Sequence, residues 1–141
     1  MSTRSNISVK VGNEYRTVYC HFDGYLSGVG ETLLNHYNSQ ELAEELVKEG
    51  DMSCLDKECS CPEGHSFNNK IDGYTVYYGR DRGETEMEYS VSEEIPLRSQ
   101  EYLYLFEDGK WFVFSEYFDH QELTQELIDC WSDESYDEDE Y

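Results

Sequence analysis

Two apolar runs, Tyr102-Leu103-Tyr104-Leu105-Phe106 and Trp111-Phe112-Val113-Phe114, flank Glu107-Asp108-Gly109-Lys110. Asp-Gly readily adopts the positive φ values that the favoured two-residue hairpin turns require, so the spacing predicts a β-hairpin. Both sides of both strands are apolar, which suits a strand covered on two faces. The hairpin therefore belongs in the middle of a sheet, or one of its faces meets a partner. The rest of the chain has to supply its neighbours.

The N-terminal region offers one. Ile7, Val9 and Val11 alternate with Ser8 and Lys10, Gly12-Asn13 gives a turn, and alternation resumes from Tyr15 to Phe22. That pattern predicts a second hairpin. After Asp23-Gly24 the period changes: Val29, Leu33 and Tyr37 lie four apart and make one helical face. Asn38 or Ser39 ends that helix and caps the next, with Glu41 completing a capping-box pattern. Leu42, Leu46 and Val47 form the apolar stripe of the second helix, which Gly50 ends.

Residues 51–72 lack periodicity. Gly73 to Gly79 reads as a strand closed by Arg80-Asp81-Arg82-Gly83, and Met87 to Val91 as a short strand before the break at Pro96. Asp119 with Glu122 repeats the capping-box spacing, and Leu123, Leu127, Cys130 and Trp131 form the buried side of a last helix. Ser132 to Tyr141 is acidic without apolar periodicity and reads as a disordered tail. The expected architecture is α+β: an antiparallel sheet of about five strands with about three helices packed on one face, in a single domain over 1–131 with a tail over 132–141. At 15% aromatic, with thirteen tyrosines, a modest core under a tyrosine-rich surface is expected.

Charge decides which partners are compatible. The chain carries 32 acidic and 10 basic residues, a formal net charge of -22. From Glu84 onward, 19 Asp and Glu face only Arg98 and Lys110. Such a field repels nucleic acid and anionic membranes and attracts cationic proteins. No apolar run approaches the length of a membrane span, and the N-terminus lacks a signal peptide's apolar core, so a cytosolic protein is expected.

Acidic runs are usually solvated faces. Duplex DNA, however, carries about one charge per 1.7 Å of axis, and a folded surface dense in carboxylates can imitate it. The residues that would build such a surface are Glu116, Asp119, Glu122 and Glu126, then Asp129, Asp133, Glu134, Asp137, Glu138, Asp139 and Glu140. Its partner would be a cationic nucleic-acid-binding enzyme or complex; a homodimer is a further partner reading.

Catalytic signals are weaker. Cys20, His21 and Asp23 suggest a nucleophile with its base, but adjacent strand residues point to opposite faces, which separates Cys20 from His21. Gly24, Gly28 and Gly30 precede a helix without a dinucleotide or Walker pattern, so capping and close packing explain them better than phosphate binding. His21 and Asp23 share a face, and Arg80 and Arg82 alternate at a strand end. With Arg4 they make an alternative ligand pocket for a nucleotide-like small molecule; the bland account is that these arginines offset nearby carboxylates. Cys54, Cys59, Cys61 and His65 lie within twelve residues and could close a structural zinc site, though C-x4-C-x-C-x3-H departs from the CxxC knuckle. No other cofactor is expected, and the chain reads as a binding protein more than an enzyme.

At Thr3-Arg4-Ser5, Tyr19-Cys20-His21-Phe22-Asp23-Gly24-Tyr25 and Tyr78-Gly79-Arg80-Asp81-Arg82-Gly83-Glu84 the chain resembles a family of small uncharacterised bacteriophage proteins. His36-Tyr37-Asn38 and the Leu-rich helix after it add to the likeness, which spans roughly residues 2–84. Leu26 stands where members of that family often have Pro. The resemblance implies a phage origin, a bacterial host cytoplasm, and a role in host takeover or counter-defence.

Overall fold

The computed structural model describes residues 3–138, with the backbone alone given for residues 132–138. Its elements run β1 Ser5–Val11, β2 Glu14–Cys20, a π-helical turn Leu26–Gly30, α1 Glu31–His36 and α2 Gln40–Lys48. Then come β3 Met52–Cys54, β4 Val76–Tyr77, α3 Tyr78–Arg82 and β5 Ser90–Ser92. The chain continues through β6 Tyr102–Glu107, β7 Lys110–Ser115, β8 Gln121–Glu122 and α4 Gln125–Glu138. The protein is α+β.

Both predicted hairpins form. Val11 pairs with Glu14 across Gly12-Asn13, and Glu107 pairs with Lys110 across Asp108-Gly109, whose φ values are +54° and +78°. β6 lies between β1 and β7, which is where two apolar faces require it to be.

The sheet itself differs from expectation. It has eight strands and is mixed, in the order β4-β3-β2-β1-β6-β7-β8, with β5 also paired to β2. β1 runs parallel to β6 and β2 parallel to β3. Alternation reports which residues share a face and says nothing of a neighbour's direction, so a wholly antiparallel sheet was not specified by the pattern. The additional strands have two or three residues each, too short to show a period.

There are four helices among the described residues. Leu33 of α1, Ala43, Leu46 and Val47 of α2, and Ile128 of α4 join Ile7, Val9, Val18, Tyr104, Phe106, Trp111 and Val113 in one core. Leu42 is 41% exposed, so the buried stripe of α2 is Ala43, Leu46 and Val47 instead. Ser39, and not Asn38, caps this helix: its hydroxyl accepts the Leu42 amide at 3.2 Å.

Tyrosines are core material here as well as surface. Tyr37, Tyr77 and Tyr104 are at most 2% exposed. Each donates its hydroxyl to a backbone carbonyl, at Asp56 (2.7 Å), Leu46 (2.6 Å) and Gly24 (2.7 Å) respectively. A buried phenol that finds an acceptor keeps its apolar gain without a desolvation penalty.

The predicted strand from Gly73 to Gly79 contracts to Val76–Tyr77, and the chain turns at once into α3. The Asp81 carboxylate reaches back to the Tyr77 amide (2.8 Å), and Gly83 ends the turn at φ +80°. The second strand of the N-terminal hairpin ends at Cys20, short of Phe22, and the short strand near residue 90 is Ser90–Ser92.

The last helix also departs from the reading. Asp119 and Glu122 form no capping box, because Gln121–Glu122 is strand β8. Thr124 caps instead, accepting the Leu127 amide at 3.1 Å. Cys130 is exposed and not on the buried side. The helical backbone continues past Trp131 to Glu138, through the first part of the segment read as a tail. Residues 139–141 lie outside the described residues.

Candidate acidic interface

The acidic corner is built outward from the sheet. β7 ends in a turn in which the Ser115 amide donates to Phe118 O (2.9 Å) and the Tyr117 amide to Ser115 Oγ (3.0 Å). His120 takes a positive φ of +55° and redirects the chain into β8. The Leu123 amide then bonds Trp111 O at 2.9 Å, and its side chain is buried. One residue later Thr124 starts α4, which sends Ile128 into the core.

Trp131 ties the turn to the helix. Its ring meets Tyr117 at 5.2 Å and Phe118 edge-on at 5.0 Å between centroids. The turn that carries Glu116 and Asp119 thus packs through these rings against the helix that carries Glu126 and Asp129. Together with Glu122, all five carboxylates are exposed. Among the described residues one cation pairs with them, Lys110 to Glu122 at 3.8 Å.

Gln125 extends the corner. Its Nε2 donates to Asp129 Oδ1 at 3.0 Å and lies 3.4 Å from Glu31 Oε2 on α1. Glu31 thus borders the acidic surface, although it lies more than ninety residues away in sequence and is absent from the acids expected there. The remaining acids read from sequence, Asp133, Glu134, Asp137 and Glu138, continue the helical backbone; their side chains, and all of Asp139 and Glu140, lie outside what is described. By helical period, positions 126, 129, 133 and 137 share one stripe.

Of the alternative pocket residues, Arg4, His21 and Asp23 lie about β1 and β2, and Arg80 and Arg82 lie on α3. Arg80 and Arg82 sit on a helical turn and not at a strand end, so a separation of two residues rotates one about 200° from the other. Arg80 is spent on its neighbours: Asp81 at 2.8 and 3.0 Å, Cys59 O at 2.6 Å, Thr75 O at 3.2 Å, and the Tyr77 ring at 4.7 Å. Arg82 pairs with Glu84 and stacks over Phe67 (4.2 Å) and Tyr78 (5.0 Å).

Cys20 and His21 do point apart. Cys20 is fully buried, which pushes its thiol pKa up strongly, whereas His21 Nδ1 meets the Tyr19 hydroxyl at 2.7 Å. Burial raises the Tyr19 pKa, and the charge of Arg4 opposes that rise. Arg4 also donates its amide to Glu101 (3.0 Å), and Asp23 accepts the Tyr25 hydroxyl (3.1 Å).

The cysteine cluster does not converge. Among the described residues no group of three or more His, Cys, Asp or Glu is placed to hold a metal ion. His65 shows why. Its Nδ1 accepts the Ile71 amide at 3.1 Å, so in the neutral ring Nε2 carries the proton and donates to Thr75 O, also at 3.1 Å. Neither nitrogen has a lone pair to offer. Cys61 Sγ faces His65 O (3.7 Å) and Asp81 Oδ1 (3.8 Å), and burial raises the thiols of Cys54 and Cys59.

No helix among the described residues is long and apolar enough to cross a membrane. Comparison with protein-family models, with curated proteins and with solved structures finds no match to this chain.

Proposed function

We propose that this protein is a phage accessory protein that binds and inhibits a host nucleic-acid-binding protein by presenting a DNA-like acidic surface. The observation that carries this reading is the shared exposure of Glu116, Asp119, Glu122, Glu126 and Asp129 on a corner pinned by Trp131. Rigid placement matters because a mimic presents its charges without first ordering them.

Spacing refines the reading. Positions 126 to 137 span about 16 Å of helix axis, so four acids give about one charge per 5.5 Å. A single DNA strand carries one per about 3.4 Å. The helix alone is too sparse, so Glu116, Asp119 and Glu122 must contribute to the same contact. The partner surface is a cationic groove wide enough for the β7–β8 turn and α4 together.

The test is capture from a bacterial lysate on the immobilised protein, with duplex DNA as competitor. A nucleic-acid-binding protein should be retained at low salt and released by DNA. A combined Glu122→Gln, Glu126→Gln, Asp129→Asn variant should capture less of it. Retention that DNA does not displace, or that the triple variant keeps in full, refutes the reading.

A further inference from the structure

Exposed charge steers partners together, but ions screen it within about 8 Å at physiological salt, and affinity rests on a few desolvated anchors. Among the described residues the acidic corner offers no such exposed anchor beyond Tyr117. A different part of the surface does. A cleft of about 340 Å³ opens on the sheet face opposite the core helices, lined by Asn6, Thr17 and Leu103 on the sheet and by Glu94, Ile95 and Leu97 on the segment above it.

The two sides of this cleft contrast sharply. Leu103 is 1% exposed, whereas Ile95 is 36% and Leu97 is 92% exposed. Leu97 therefore contributes almost nothing to the protein's own core. The segment that carries it is joined to the sheet by one side-chain bond, Ser99 Oγ to Asn6 Oδ1 (3.0 Å), and shaped by two local ones, Ser92 Oγ to Glu94 O (2.7 Å) and Arg98 to Gln100 O (2.9 Å). Pro96 fixes one further φ angle. An apolar side chain left in water beside this cleft is available to meet a partner.

Charge selects that partner. Between Arg82 and Arg98 the chain has Glu84, Glu86, Glu88, Glu93 and Glu94 and no basic residue. A purely apolar occupant would leave Glu94 unmatched, and an acidic one would be repelled. Lysine and arginine combine an aliphatic stem with a cationic head, and so suit an apolar wall beside a carboxylate. We propose that this cleft anchors an extended basic segment of a partner protein. One Lys or Arg stem lies against Ile95 and Leu97, with its head at Glu94. The inference rests on the cationic-partner reading above but not on the acidic corner.

The probe is a fluorescently labelled heptapeptide of alternating lysine and leucine, with binding followed by anisotropy and by amide chemical shifts. Leu97→Ser should weaken binding about tenfold with the salt dependence unchanged, whereas Glu94→Gln should reduce the salt dependence. Shifts should centre on Asn6, Thr17 and Leu103. Leu97 is exposed, so its replacement leaves the fold intact. Wild-type affinity in both Leu97→Ser and Ile95→Ser, or shifts confined to α4, overturns the proposal. If DNA fails to displace a captured host protein while the peptide still binds at Leu97, the mimic reading falls and the cleft stands. If DNA displaces it and Leu97→Ser has no effect on the peptide, the reverse holds.

Discussion

Arg80 and Asp81, adjacent in the chain, clasp each other through two parallel hydrogen bonds, Nε to Oδ1 at 2.8 Å and Nη2 to Oδ2 at 3.0 Å. The carboxylate is 1% exposed and also accepts the Tyr77 amide. This pair turns β4 into α3, and Arg80 fastens the irregular segment to the sheet edge through Cys59 O and Thr75 O.

Asp81→Asn should cost about 3 kcal/mol, because it leaves a largely buried guanidinium without its counter-charge. Burial, the largest single influence, would raise the Asp81 pKa, but the hydrogen bonds from Arg80 and the Tyr77 amide together with the Arg80 charge outweigh it and hold it below the usual 3.8. A depressed native pKa means the pair's contribution is complete above the unfolded carboxyl's pKa. It is lost as pH falls through the lower native value. Urea unfolding at pH 7 and at descending acid pH should show the gap between wild type and variant closing only in strong acid. A gap that stays constant with pH would show that the charge is not what stabilises.

Zinc should neither copurify with the protein nor raise its melting temperature. Both ring nitrogens of His65 are already committed, to the Ile71 amide and to Thr75 O. A metal would have to break one of these buried bonds before binding. Metal analysis of protein purified without added zinc, with and without a chelator, checks this. A chelator that lowers the melting temperature would contradict the assigned ring contacts.

Local periodicity carried both hairpins and the helical face of Val29, Leu33 and Tyr37 into the structure, because each depends on residues close in sequence. Strand direction did not carry over, since β1 meets β6 across some ninety intervening residues and alternation has no sign for parallel or antiparallel neighbours. The failure at Arg80 and Arg82 has a different origin. Tyr74, Val76 and Tyr78 alternate like a strand, but a local side-chain contact that alternation does not report, the Asp81 bond to the Tyr77 amide, accompanies the turn of the last of them into helix. The acidic corner was legible as composition; its packing was not, because Trp131 meets Tyr117 and Phe118 through tertiary contacts alone.

The turn at Gly24 depends on the absence of a side chain. A Cβ there would lie 2.8 Å from Thr3 O and 3.0 Å from Ser5 Cβ, closer than backbone and strand can yield. Tyr104→Phe removes only the hydroxyl that serves Gly24 O, at a cost of about 1–3 kcal/mol for an orphaned carbonyl. Gly24→Ala should therefore destabilise more than Tyr104→Phe, as read from denaturant midpoints. The opposite ranking would mean that β1 can shift away from the turn.

Salt should stabilise this protein. With a net charge of -22, folding brings many like charges together, and that repulsion opposes the compact state. Raising ionic strength from 0.1 to 1 M shortens the screening length from about 10 to 3 Å and relieves it. Screening also weakens exposed ion pairs, but those contribute at most about 1 kcal/mol each, and the Arg80–Asp81 pair is shielded by a carboxylate only 1% exposed. Repulsion should therefore dominate, and the melting temperature should climb with sodium chloride. Removing residues 132–141 deletes six acids and no base, so the truncated protein should respond less to salt than the full chain. An equal response in both would locate the repulsion elsewhere, in the 84–94 segment or on α2.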